Sequence, residues 1–185
     1  MAKHVCPWWL GYFLANPLRR LWHDPKKILS PYVLGGMTVL EPGCGMGFFT
    51  LDLARLAGPS GRVVAVDLQQ KMLDGMKRRA GRAGLLSRID ARLVPVAGLG
   101  VDDLAGAVDF GLAFAMVHEL PDAKLFFGEM ARALKPGARL LVSEPTGHVT
   151  EEAFDATLAL ATAAGFTVES RPTIRSSLAA LLVRG

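Results

Sequence analysis

The stretch Thr38–Leu56, TVLEPGCGMGFFTLDLARL, decides how this chain is read. Thr38, Val39 and Leu40 form a short apolar run that predicts a buried strand. Glu41 ends the run, and Gly43, Gly45 and Gly47 then alternate through a tight turn. From Phe48 onward the spacing turns helical, with Phe49, Leu53 and Leu56 on one face. A strand, a glycine turn and a helix start in this order predict an anion pocket. Free backbone N–H groups would point at the ligand, and the helix dipole favours negative charge there. Glycine lets a ligand approach the backbone where a Cβ would collide.

The spacing within the turn carries more than its glycine count. A dinucleotide-binding turn reads G-x-G-x-x-G, whereas this one reads E-x-G-x-G-x-G. An acid two residues before the first glycine suits a ligand with a cation beside its carboxylate, such as an amino-acid group. On these residues the sequence resembles the class I S-adenosylmethionine-dependent methyltransferases, whose first motif is an acid followed by alternating glycines. By itself the turn leaves open a βα connection that binds nothing.

Further elements extend the resemblance. Arg62–Asp67, RVVAVD, is a β-branched run ending in an acid and predicts a second buried strand. Asp67 lies 24 residues after Gly43, where an acid can accept hydrogen bonds from ribose hydroxyls; it could equally cap the next helix. That helix is expected over Gln69–Ala83, with Met72, Met76 and Ala80 facing the core. Ala91–Val96 reads as a third strand, Asp109–Ala115 as a fourth and Arg139–Ser143 as a fifth, the last preceded by a Lys135-Pro136-Gly137 turn. The resembled family commonly carries L-K-P-G-G before its fifth strand; Ala138 replaces the second glycine here. Asp122 and Thr150 are positioned as helix caps, Phe127, Met130 and Leu134 as one inner face, and Phe154, Leu158 and Ala161 as another. Phe166–Arg171 and Leu178–Val183 supply two more strands joined without a helix. The expected fold is α/β: a three-layer, Rossmann-like, seven-stranded, mostly parallel sheet with an antiparallel last strand.

Composition sets the remaining bounds. The chain has 185 residues, 51% hydrophobic and 21% charged, enough for one domain with a sizeable core and incompatible with general disorder. Residues 36–185 read as the methyltransferase domain. Residues 1–35 read as an N-terminal segment that could cover the substrate site, with Pro25 and Pro31 breaking its helical part. Trp8, Trp9, Tyr12 and Phe13, backed by Arg19, Arg20, Lys26 and Lys27, raise an interfacial membrane contact as the weaker reading. The segment lacks a secretory cleavage pattern. Cys6 and Cys44 cannot form a disulfide framework, and a cytoplasmic location is expected. Cys44, inside the turn, reads as a packed small side chain. Residues 71–92 hold seven bases and two acids, and residues 1–36 five bases and one acid. These regions read as solvated faces before nucleic-acid footprints.

The resemblance implies S-adenosylmethionine as cofactor and a small-molecule methyl acceptor. It assigns Glu41 to the methionine amino group, the turn Gly43, Cys44, Gly45, Met46 and Gly47 to the carboxylate and sulfonium side, Asp67 to the ribose, and Leu68 and Gln69 to the adenine surroundings. Many members carry an acid after the third strand; Pro95, Val96, Ala97 and Gly98 stand there instead. After the fourth strand comes Met116-Val117-His118-Glu119-Leu120-Pro121-Asp122, similar to the V-L-H-H-x-P-D of many small-molecule methyltransferases. His118 is the candidate base, with a structural role as the alternative. Glu144 and His148 lie just past the fifth strand, but their spacing with His118 fits no metal motif, and no metal is expected. A nucleic-acid methyltransferase and a non-catalytic cofactor-binding protein are the alternative functions. The N-P-P-[YF/W] and D-P-P-Y tetrapeptides of base-amino methyltransferases are absent after the fourth strand.

Overall fold

The computed structural model describes residues 8–9, 11, 16–95 and 98–185. The chain divides into two compact units, one within residues 5–95 and one within residues 96–185.

In the first unit, a 3-10 turn (Pro17–Leu21) and a short helix α1 (Pro25–Leu29) precede β1 (Thr38–Pro42), α2 (Thr50–Ala57), β2 (Arg62–Asp67), α3 (Gln70–Arg82) and β3 (Ile89–Leu93). The strands pair in parallel, β2 in the middle, with Glu41 opposite Ala65 and Asp67 opposite Leu93. Val39, Leu40, Val63, Val64, Ala65 and Val66 are essentially excluded from solvent. Both faces are therefore covered, which is why these strands read as continuous apolar runs and not as alternating ones. Met72, Met76 and Ala80 of α3 are buried, as their spacing predicts.

Three expectations shift. Pro25 starts α1 instead of breaking a helix: its missing N–H costs nothing at the first helical position, and the Asp24 carboxylate caps the turn by accepting from Lys26 N at 3.1 Å. The third strand is Ile89–Leu93, not Ala91–Val96. Val94 N still donates to Asp67 O at 3.1 Å, but β2 ends at Asp67 and offers β3 no further partner; Val96 and Ala97 lie outside the described residues, as do Cys6, Tyr12 and Phe13. Asp67 is not the cap of α3, since Gln69 holds that position and Asp67 Oδ1 accepts from Gln69 N at 2.9 Å.

Several cations of the basic regions are engaged within the unit. Arg79 donates to Met46 O, Arg88 to Ala54 O, and Arg92 pairs with Asp90 at 2.7 Å. Arg19 lies over the Phe48 ring, 4.5 Å from its centroid, and Arg20 pairs with Asp52.

The second unit holds a 3-10 turn (Asp102–Leu104), β4 (Val108–Phe114), a second 3-10 turn (Val117–Glu119), α4 (Ala123–Ala133), β5 (Leu134–Pro145), α5 (Glu151–Ala163), β6 (Phe166–Ser170) and β7 (Ser177–Arg184). β4 and β5 are parallel, and β7 runs antiparallel to both β5 and β6. Asp122 and Thr150 cap α4 and α5 through bonds from Leu125 N and Ala153 N. Phe110, Phe127, Met130, Phe154 and Phe166 fill the core. The fifth strand is longer than expected. Leu134 already pairs with Val108, and the Lys135-Pro136-Gly137 turn interrupts the pairing until Arg139 resumes it opposite Phe110. Gly137, at φ +76°, makes that detour possible. Because β5 runs on to Pro145, Glu144 lies inside the strand, opposite Leu178.

The strand order is β3-β2-β1 in the first unit and β4-β5-β7-β6 in the second, seven strands in all. This is the predicted α/β class, mostly parallel with an antiparallel last strand. Among the described residues no helix is long and apolar enough to cross a membrane.

Candidate functional site

In the first unit, the ends of β1 and β2 and the glycine turn form one network. Glu41, the penultimate residue of β1, is 4% exposed, and its Oε2 accepts from the Thr50 hydroxyl at 2.5 Å. Thr50, fully buried at the first residue of α2, is thereby tied to the strand across the turn. Burial, the largest cause, and the neighbouring Asp67 charge push the Glu41 carboxyl up to about 8, while the Thr50 bond opposes them. A buried acid of this kind suits a ligand cation that would restore its charge.

Asp67 ends β2 as a bracket. Oδ2 accepts from Gly45 N at 2.8 Å, and Oδ1 from Gln69 N. Burial raises its carboxyl above the usual range, opposed by the amides of Gln69, Gly45 and Leu68. Leu68 and Gln69 beside it are half-buried. The turn therefore holds its shape by its own bonds. Gly43 N and Cys44 N donate to Val66 O at 2.8 and 3.1 Å, and Gly47 N to Cys44 O at 2.9 Å.

This corrects one expectation. The amides of Gly43, Cys44, Gly45 and Gly47 donate inside the protein and are not left open for an anion. What the glycines supply is shape. Gly47 has φ +78°, and a Cβ there would stand 2.6 Å from Met76 Cγ. Cys44 is buried, and its thiol is pushed up by burial first and then by the Glu41 and Asp67 charges. That environment makes it a packed side chain and not a nucleophile.

In the second unit, His118 sits in the 3-10 turn after β4, its side chain 21% exposed. Its Nδ1 bonds the Glu144 carboxylate, which is 2% exposed and also accepts from Val117 N at 2.8 Å. Burial raises the Glu144 carboxyl, while His118 and the Val117 and Met116 amides pull it back. His148 meets the His118 ring edge-to-face, centroids 5.5 Å apart. Glu119 Oε1 lies 4.0 Å from His118 Nε2. Among the described residues no group of three or more His, Cys, Asp or Glu is placed to hold a metal ion.

Two partners were missed in the sequence. Thr50 reads as an ordinary helix residue, and no local pattern marks it as the partner of Glu41. From the sequence Glu144 reads only as a possible metal ligand. Its signal was available: like Glu41 and Asp67, it is an acid near the end of an apolar strand, where burial demands a partner.

A family model described as "Methyltransferase domain" matches residues 34–170. An uncharacterised 37.1 kDa protein in transposon TN4556 of Streptomyces fradiae is 31% identical over 110 residues, covering 60% of this chain and 30% of that protein. The ubiquinone/menaquinone biosynthesis C-methyltransferase of Saccharophagus degradans is 31% identical over 150 residues, 77% of this chain and 57% of the relative. The chain thus spans less than two thirds of the length of these relatives. In fold it matches the crystal structure of a SAM-dependent methyltransferase from Aquifex aeolicus, with TM-score 0.85, 24% identity and coverage of 97% and 98% of the two chains. With the glycine turn, the acid ending β2 and the family match together, the chain belongs to the methyltransferase domain family, in its class I S-adenosylmethionine-dependent form.

Proposed function

We propose that this protein transfers the methyl group of S-adenosylmethionine to a small-molecule acceptor by in-line displacement. The observation that carries the reading is the Asp67 bracket. One carboxylate fixes both the glycine turn and the start of the next helix, leaving a shaped, acid-lined edge at the ends of two adjacent parallel strands.

The residues present fit the cofactor. Glu41 offers a buried acid to the methionine ammonium, and Asp67 keeps acceptor capacity for ribose hydroxyls beside its two amide bonds. Leu68 and Gln69 follow Asp67 on the adenine side. Gly43, Cys44, Gly45, Met46 and Gly47 line the carboxylate and sulfonium side, where Gly45, with open space in place of a Cβ, gives close approach. The bound cofactor supplies an electrophilic methyl on a sulfonium. The protein's task is to hold nucleophile, carbon and sulfur in line, an alignment that contributes about 7–11 kcal/mol in favourable cases. His118 serves as base for an acceptor whose nucleophile is protonated at neutral pH. The small-molecule acceptor is supported by the name of the Saccharophagus degradans relative, a quinone-biosynthesis C-methyltransferase.

Calorimetry with S-adenosylhomocysteine tests the cofactor part. Asp67→Asn preserves the shape but leaves an amide where Gly45 N or Gln69 N needs an acceptor, so affinity should fall at least ten-fold. Equal affinity in Asp67→Ala would remove the ribose assignment.

A further inference from the structure

We propose that Glu144 is a positioning residue that holds the His118 proton on Nδ1 and so presents Nε2 as the basic atom. The inference rests on the methyl-transfer reading for what that basic atom does, but not for whether the lock exists.

The argument starts with the backbone. Val117 N–H can only donate, and it donates to Glu144 Oε1. The second carboxylate oxygen faces His118 Nδ1. Glu144 thus accepts on both sides, and the imidazole must place its hydrogen on Nδ1. The lone pair then falls on Nε2. Among the described residues, the charged and titratable groups facing the ring are Glu144 from β5, Glu119 from its own turn and His148 from the segment after β5. His148 meets the ring edge-to-face and limits its rotation; Glu119 stands 4.0 Å from Nε2, beyond a direct hydrogen bond. The lock is built into the fold, because Val117 and His118 are neighbours in one 3-10 turn and both address the same buried carboxylate.

In the proposed reaction the balance is simple. The acceptor's X–H bond breaks and its proton goes to Nε2. The X–CH3 bond forms as the S–CH3 bond breaks, and the S–CH3 electron pair stays on sulfur. The imidazolium then returns its proton to solvent.

Glu144→Gln distinguishes this from plain structural support. Its single carbonyl oxygen must stay on Val117 N–H, since an NH2 group there would set donor against donor. The NH2 group then faces Nδ1, which has to accept, and the proton moves to Nε2. Long-range 15N–1H correlation spectra of the imidazole read this directly. Wild type should show neutral His118 protonated on Nδ1, and the variant should show it on Nε2. Carbethoxylation of His118 by diethyl pyrocarbonate, followed by peptide mass spectrometry, should slow at least ten-fold in the variant, because Nε2 no longer carries a lone pair. A wild-type spectrum with the proton on Nε2 overturns the proposal even if the variant fails to fold. So does a folded variant with wild-type tautomer and reactivity. S-adenosylhomocysteine affinity, measured alongside, should not change in Glu144→Gln. A wild type that binds no S-adenosylhomocysteine would defeat the cofactor reading and leave the tautomer result standing.

Discussion

Glu41 and Glu144 are the same residue type in the same kind of place. Each stands near the carboxyl end of an apolar strand, and each is almost wholly excluded from water. Their partners separate them. Glu41 meets a neutral hydroxyl from Thr50, so burial dominates and its carboxyl is pushed up to about 8. At Glu144 burial is again the largest cause and raises the carboxyl, but an imidazole and backbone amides oppose it. Burial alone therefore does not decide what a strand-end acid does. The donors that the fold brings to it decide whether it waits for a ligand cation or holds a side chain in one tautomer.

The comparison can be broken most strongly through pH. Glu41 is raised above its unfolded value of about 4.5. Between about pH 4.5 and 8 the folded chain therefore holds a proton that the unfolded chain has released. Stability should fall across that window by up to a few kcal/mol and level off above about pH 8. Glu41→Gln should remove that part of the slope in urea melts taken from pH 4 to 9; an unchanged slope would mean that Glu41 is ionised in the folded protein. If Glu41 receives the ligand ammonium, S-adenosylhomocysteine binding at pH 7 should release close to one proton. Calorimetry in two buffers of different ionisation enthalpy measures it, and Glu41→Gln should abolish it.

A smaller effect is expected from deleting the other acid. Glu144→Ala leaves the Val117 amide and His118 Nδ1 without their acceptor, at a cost of about 2–4 kcal/mol in urea denaturation. A loss under about 0.5 kcal/mol would indicate that water replaces the carboxylate. Thr50→Val comes next. It removes the one donor from Glu41, should cost about 1 kcal/mol, and should push the Glu41 titration higher still. The least is expected from Arg20→Ala. Its guanidinium is 40% exposed in the pair with Asp52, so solvent screens it and the loss should stay below about 1 kcal/mol.

Much of the fold was legible along the chain because the strands are buried on both faces and the caps are local. RVVAVD could hardly be anything but an inner strand, and Asp122 and Thr150 cap the helices that follow them. The boundaries that moved did so for reasons of hydrogen-bonding supply. β3 stops where its partner β2 stops, at Asp67, and β5 begins before its turn, because Leu134 finds a pairing partner in Val108.

By itself, then, the sequence determined which residues form strands, where the glycine turn lies, and which acids end β1 and β2, since periodicity and spacing are properties of neighbours in the chain. Only the tertiary structure decided what those acids touch. Thr50 is nine residues from Glu41 and His118 is 26 from Glu144; no local pattern fixes such pairs. The turn amides follow the same rule: whether an N–H is open to a ligand depends on the carbonyl that folding carries to it, and Val66 O reaches Gly43 and Cys44 only when β1 and β2 lie side by side.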